Sequence, residues 1–126
     1  MIESTATVFL ASALRLSTPL ILAATGEMVS ERAGVLNLSL EGMMLVGAFT
    51  GAVAARRTGS PAGGLIFGVL AALMMAVMQA ILSVRVRANQ LVVGIGFNIL
   101  ALGATTFLYR QIFGALSRDV IPSFRV

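Results

Sequence analysis

The stretch "GVLNLSLEGMMLVGA", residues 34–48, places an Asn, a Ser and a Glu inside an otherwise apolar run. The whole chain is 58% hydrophobic and only 11% charged, with a mean hydropathy of +0.98, whereas soluble domains carry about 25% charged residues. These values predict an all-α, polytopic transmembrane helix bundle. Glu41 therefore lies either at the edge of a membrane helix or at a working position inside the bilayer.

Four apolar segments are long enough to cross about 30 Å of hydrocarbon. They cover residues 6–25, 36–55, 63–84 and 91–108. The intervening segments combine charge, Gly and Pro, as interfacial turns do, and Ser60-Pro61 predicts the cap and first turn of the third helix. We therefore expect one transmembrane domain over residues 1–126, with about four spans.

Glu41 falls deep in its predicted span. Counting back from Arg56 at about 1.5 Å per residue puts the carboxylate roughly 22 Å in, about 8 Å short of the opposite face. An unrelieved charge in mid-helix costs around 3 kcal/mol. The charge could be relieved by pairing with an arginine such as Arg15 or Arg32, or by a helix that begins near Ser39 and places Glu41 at its positive end.

A third form of relief is a backbone break that protein shields from lipid. A late helix start combined with a break predicts a broken or re-entrant segment near 26–38 that leads into a short helix from about 39 to 55. Transporters place such discontinuous elements near the solute path. The alternative is a plain helix cap at the membrane surface.

Small residues recur every four positions in the second and third segments. The predicted packing positions are Gly47, Gly51, Gly64 and Gly68. Such faces let helix backbones approach closely in lipid. They favour packing within the chain, with a dimer face as the alternative.

Polar residues within or beside the spans are the candidates for a solute pathway. They are Asn37, Glu41, Gln79 and Asn98. Amide side chains in a membrane either bridge helices or line an aqueous path, and the sequence leaves both roles open for Gln79 and Asn98.

The positive charge is carried by arginine alone. The nine basic residues include no Lys and stand at the ends of apolar runs, which is typical of topology signals and not of a nucleic-acid surface. Arg85 and Arg87 are also interpreted as a topology signal. The alternative is that they dock a cytosolic partner. Because Cys and His are absent and the acids are scattered, we expect no metal, no cofactor and no catalytic residue, and hence no enzyme.

Two stretches together resemble a known family. "GEMVSERAGVLNLSLEGMMLVGAFTG" (26–51) and "LSVRVRANQLVVGIGFNILALGATTFL" (82–108) are similar to the permease subunit of bacterial ABC importers for branched-chain amino acids, ribose and nucleosides. The "LEGMM" version of the first motif resembles the nucleoside branch.

The resemblance implies a multi-pass protein of the bacterial plasma (inner) membrane that forms a solute pathway and hydrolyses no ATP itself. It also implies a second permease subunit, cytosolic ATPase subunits and an external solute-binding lipoprotein, in addition to contact with membrane lipid. Family members are about twice this length or more. The chain is therefore expected to be the N-terminal half of a longer permease that cannot couple ATP to transport alone.

Two alternatives from other classes stay open. One is a small four-helix proton-coupled secondary exporter acting as a homodimer, and the other is a non-transporting membrane assembly subunit.

The arginine count and the family resemblance predict opposite orientations in the membrane. Counting arginines puts Arg56, Arg57 and the C-terminal arginines inside the cell, against Arg85 and Arg87. The resemblance puts the C-terminal segment outside. We follow the resemblance.

Overall fold

A computed structural model describes residues 2–114, which are helical throughout apart from short turns. The elements are α1 (Ile2–Arg32), α2 (Leu40–Thr58), α3 (Pro61–Ala80), a π-helical turn (Ile81–Arg85) and α4 (Gln90–Phe113). The prediction of an all-α helix bundle is confirmed. Arg118, Asp119 and Arg125 of the predicted C-terminal segment lie outside the described residues. The chain divides into two compact units, Met1–Asn37 and Leu38–Val126.

Three of the helical segments are long and apolar enough to cross a membrane, namely Ser4–Arg32, Pro61–Arg85 and Gln90–Phe113. The fourth, α2, has 19 residues, with Glu41 in its first turn and Arg56 and Arg57 in its last. With these charges α2 is not among the helices that are apolar enough to be candidate spans. Three candidate spans agree roughly with the predicted count of about four.

The predicted break over residues 26–38 is too long, because α1 continues to Arg32 and only residues 33–39 leave the helix. Glu27, Met28 and Glu31 are strong helix formers, which explains why a segment that looked polar and irregular is helical. A Cβ at Gly26 would meet no atom within 4 Å. The prediction of a late start for the second helix holds, since α2 begins at Leu40 directly after Ser39.

Gly34 ends α1. Its φ of +79° is a left-handed conformation that glycine adopts without strain. The Gly34 N–H donates to the Glu31 carbonyl at 2.9 Å, and the Val35 N–H donates to the Ser30 carbonyl at 3.0 Å. This pair of bonds is the Schellman motif, which satisfies carbonyls at the end of a helix.

Helices α2 and α3 form an antiparallel hairpin. Gly59, with φ of +65°, ends α2, and Ser60 and Pro61 are the N-cap and first residue of α3. The predicted cap and first turn at Ser60-Pro61 are thus confirmed.

The glycines at four-residue spacing bring these two backbones into contact. A Cβ on Gly68 would lie 2.8 Å from the Gly47 carbonyl oxygen, and one on Gly64 would lie 2.7 Å from that of Gly51. The two small faces therefore meet each other within the chain, as packing in lipid requires.

Helices α2 and α4 run parallel and in register. Gly42 bonds to Asn98 and Arg56 bonds to Ile112, and each pair is separated by 56 positions. The Arg56 guanidinium also lies 5.2 Å from the centre of the Phe113 ring, a favourable cation–π distance. The two helices therefore lie side by side for about 21 Å, the length of fourteen helical residues.

Candidate functional site

Helix α2 begins part-way along α4, against which it packs. Asn98 lies eight residues after Gln90, the first residue of α4, and is therefore about 12 Å along that helix. Since Asn98 bonds to Gly42, the third residue of α2, the first residue of α2 lies about 9 Å beyond the start of α4. The α2 N-terminus therefore lies against the side of α4 and not level with the start of that helix. The depth of Glu41 in the membrane stays a prediction.

The Asn98 side chain caps this helix start. Its Nδ2 donates to the Leu38 carbonyl at 2.9 Å, and its Oδ1 accepts from the Gly42 N–H at 2.7 Å. The first N–H groups of a helix have no partner within the helix. The N-cap residue usually accepts from one of them, but the Ser39 side chain makes no such bond. Helix α4 therefore supplies the cap that α2 does not supply for itself.

Glycines allow the close approach at this point. A Cβ on Gly94 would lie 2.6 Å from the Leu38 Cβ, and a Cβ on Gly42 would lie 2.8 Å from the Asn98 Oδ1. Ser39, between these contacts in sequence, is fully buried. The start of α2 is thus packed against α4 with no room for larger side chains at positions 42 and 94.

Gln79 and Ser83 add two buried polar groups from α3 and the π-helical turn. They are 2% and 6% exposed, respectively. Among residues 2–114, neither amide atom of Gln79 nor the Ser83 hydroxyl has a hydrogen-bond partner. Buried polar groups in native structures are normally hydrogen-bonded, so this pair requires an explanation.

The register of the α2–α3 hairpin places Gln79 beside the start of α2. Ala72 lies opposite Gly47, where a Cβ would be 3.4 Å from the Ala72 Cβ. Gln79 is seven residues, about two turns, beyond Ala72 and so lies on the same face of α3. Because the helices are antiparallel, it falls level with Leu40, seven residues before Gly47.

The π-helical turn Ile81–Arg85 begins two residues after Gln79 and contains Ser83. Such turns are rare and occur often at functional sites. The Val86 N–H donates to the Ile81 carbonyl at 3.2 Å. Arg87 has a φ of +53°, and Asn89 then caps α4 by accepting from the Leu91 N–H at 3.0 Å.

The predicted docking residues Arg85 and Arg87 are both exposed, at the end of the π-helical turn and in the loop that follows it. Binding of a partner there remains a prediction.

Asn37 and Glu41 differ in their surroundings. The Asn37 N–H donates to the Glu27 carboxylate at 2.9 Å within the N-terminal unit, and Asn37 is partly buried. Glu41 is exposed in the first turn of α2, where the positive end of the helix favours a carboxylate.

Glu27 could not be predicted from the sequence, because its contact spans ten residues and joins a helix to a loop, a spacing with no periodic signature. The second oxygen of this carboxylate is buried without a partner among residues 2–114. Ser83 could not be predicted either, since a single Ser in an apolar run is not distinctive.

Comparison with known proteins agrees with this architecture. Residues 9–123 match the family described as branched-chain amino acid transport system / permease component. The chain belongs to this family. The resemblance seen in the sequence is confirmed, and with its apolar helices the chain is a multi-pass protein of the plasma (inner) membrane.

Three relatives can be named. The chain is 38% identical to a guanosine ABC transporter permease protein of Bacillus subtilis over 84% of its own length and 35% of that protein. It is 44% identical to a putative glucose ABC transporter permease protein of Haloferax volcanii, over 72% of the chain and 28% of the relative. A nucleoside ABC transporter permease protein of Lactococcus lactis is 33% identical, over 89% of the chain and 37% of the relative.

The chain thus spans about a third of the length of these relatives. No solved structure matches it.

Proposed function

We propose that the chain is part of the transmembrane permease of an ATP-driven importer for nucleosides. The observation that carries this proposal is the start of α2 part-way along the apolar helix α4, held by the Asn98 side chain. A helix that begins inside the bilayer presents N–H groups and a positive end to the interior, and transporters use such ends to bind solutes. Two of the three relatives are named for guanosine or nucleosides, which supports the solute class.

The chemistry of the interior suits an uncharged solute. The buried polar residues among those described are Ser39, Gln79, Ser83 and Thr105, and none of them carries a charge. A charged solute in a low-dielectric site needs an opposite charge or a dense set of hydrogen bonds. A nucleoside is neutral at pH 7 and can be satisfied by amide and hydroxyl groups.

In this proposal the chain provides a path and binds no nucleotide. Transport requires a second permease subunit, cytosolic ATPase subunits and an external solute-binding lipoprotein. The ATPase changes the path only if its nucleotide states make different contacts with the permease. The exposed turn with Arg85 and Arg87 is the candidate for part of that contact.

The test is uptake of labelled guanosine by proteoliposomes that contain the permease with this chain, its ATPase and its binding protein. We expect uptake that requires both ATP and the binding protein, and no flux when the 126-residue chain is reconstituted alone. Flux driven by a proton gradient through the chain alone would support a homodimeric exporter and overturn the proposal. Guanosine uptake by the 126-residue chain with ATPase and binding protein would show that no further permease segment is required.

A further inference from the structure

We infer that Gln79 and Ser83 form a solute-binding point beside the start of α2, specific for a neutral solute that presents a hydrogen-bond donor and acceptor side by side. This inference rests on the proposed function and adds the residues and the type of contact. A purine edge has the required pattern.

The first support is that the Gln79 side chain is buried without hydrogen-bond partners. It is 2% exposed, and both its Oε1 and its Nε2 lack a partner among residues 2–114. Removing an amide from water without replacing its hydrogen bonds costs about 1–3 kcal/mol on protein scales. A side chain held in this condition lowers stability, and such a cost is typical of groups retained for binding.

The second support is that the unsatisfied groups lie together. Ser83 follows Gln79 by four residues, about one turn, and its hydroxyl is also buried and without a partner in the part of the chain that the structure describes. The register of α2 and α3 places Gln79 level with Leu40. Two unpartnered side chains thus lie near the end of α2 that attracts electron-rich groups.

The third support is the contrast with Asn98. Both polar atoms of its amide have partners, because Nδ2 donates to the Leu38 carbonyl and Oδ1 accepts from the Gly42 N–H. Asn98 therefore holds the helix start in position, and Gln79 keeps its donor and acceptor for another molecule. The two amides that were equivalent in sequence have different roles.

The chemistry of the side chain defines the ligand. A primary amide offers one acceptor and one donor group in a planar fork, which matches a base edge with a donor next to an acceptor. Glutamine and asparagine bind adenine in this bidentate way in nucleic-acid complexes. Ser83 can donate or accept one further bond, to a ring nitrogen or a sugar hydroxyl.

The experiment compares Gln79→Met with Gln111→Met in the complete importer. Methionine is close to glutamine in size and has no amide, and Gln111 is an exposed residue of α4 that serves as the matched control. We measure Tm in detergent without solute and the guanosine concentration that gives half-maximal uptake. Ser83→Ala is a second variant in case Gln79→Met does not assemble.

For Gln79→Met we expect a Tm equal to or above that of the wild type, because the variant no longer buries an unsatisfied amide. We expect the half-maximal guanosine concentration to rise on the order of tenfold or more, as for loss of hydrogen bonds in a buried site. Ser83→Ala should raise it by a smaller factor, and Gln111→Met should change neither quantity.

Two results would overturn the assignment of Gln79 and Ser83 as a solute-binding point and leave the proposed function intact. A fall in Tm for Gln79→Met would show that the amide has a structural partner in the complete permease. Unchanged guanosine uptake in Gln79→Met and Ser83→Ala would show that the pair does not contact the solute. A wild-type importer that carries glucose and not guanosine would overturn the nucleoside proposal together with the purine contact.

Discussion

At the scale of single residues, Asn98 has the clearest structural role, because one side chain satisfies two backbone groups that no helix partner reaches. In Asn98→Ala the Gly42 N–H and the Leu38 carbonyl lose these bonds in a low-dielectric environment. We expect the free energy of unfolding to fall by about 1–3 kcal/mol. Reversible unfolding in mixed micelles, followed by circular dichroism, measures this change.

The control for Asn98→Ala is the same truncation at the next position. Ile99 is 67% exposed, so Ile99→Ala should change the free energy of unfolding by about 0.5 kcal/mol or less. Equal effects of the two substitutions would contradict the capping role of Asn98.

Glu27 gives a second prediction at this scale. Its carboxylate accepts the Asn37 N–H and so ties the loop after α1 back to that helix. Glu27→Gln keeps an acceptor oxygen and should retain wild-type stability, whereas Glu27→Leu leaves the Asn37 N–H without its partner. Hydrogen exchange at Asn37 should become faster in Glu27→Leu and not in Glu27→Gln, and identical exchange in both variants would argue against the bond.

At the scale of elements, the α2–α3 hairpin depends on four glycines that no larger residue can replace without movement. An alanine at Gly64 would put its Cβ 2.7 Å from both the Ala55 Cβ and the Gly51 carbonyl oxygen. Because these partners are a short side chain and backbone, the helices must separate. We expect Gly64→Ala to lower the free energy of unfolding by about 1–3 kcal/mol.

The matched control is Gly103→Ala in α4. A Cβ at Gly103 would meet no atom within 4 Å, and Ala is favoured over Gly inside a helix by about 0.5–1 kcal/mol. Gly103→Ala should therefore raise stability slightly in the same unfolding assay in which Gly64→Ala lowers it. Two changes of the same sign would contradict the assigned packing.

The elements were predictable where the signal is local. Segment length predicts the helices, and Ser60-Pro61 predicts the start of α3. The end of α1 could not be predicted, because the charged residues near Glu27 are also typical of a turn, although they favour a helix. The hydrogen bonds of Asn98 to Leu38 and Gly42 also could not be derived, since they join positions more than fifty residues apart that become neighbours only when α2 and α4 pack.

At the scale of the whole molecule, the parallel packing of α2 and α4 places both their C-terminal ends on one side, with the turn after α3 on the other. The chain contains no Cys, so single cysteines can be introduced without changing other residues. The suitable positions are Ser60 in the α2–α3 turn, Gln111 in the last turn of α4 and Val86 after the π-helical turn. They report on the arrangement of the bundle and on its orientation.

We expect cysteines at positions 60 and 111 to react with a membrane-impermeant maleimide in intact cells, and a cysteine at position 86 to react only after the membrane is opened. The resemblance to ABC permeases predicts that the C-terminal side is outside. On the proposed function, the turn with Arg85 and Arg87 then faces the cytosol, where we propose that the ATPase binds. The opposite labelling pattern would favour the orientation that the arginine count predicts, because Arg56, Arg57 and Arg110 would then lie inside. Labelling of positions 60 and 86 from one side would show that α3 does not cross the membrane.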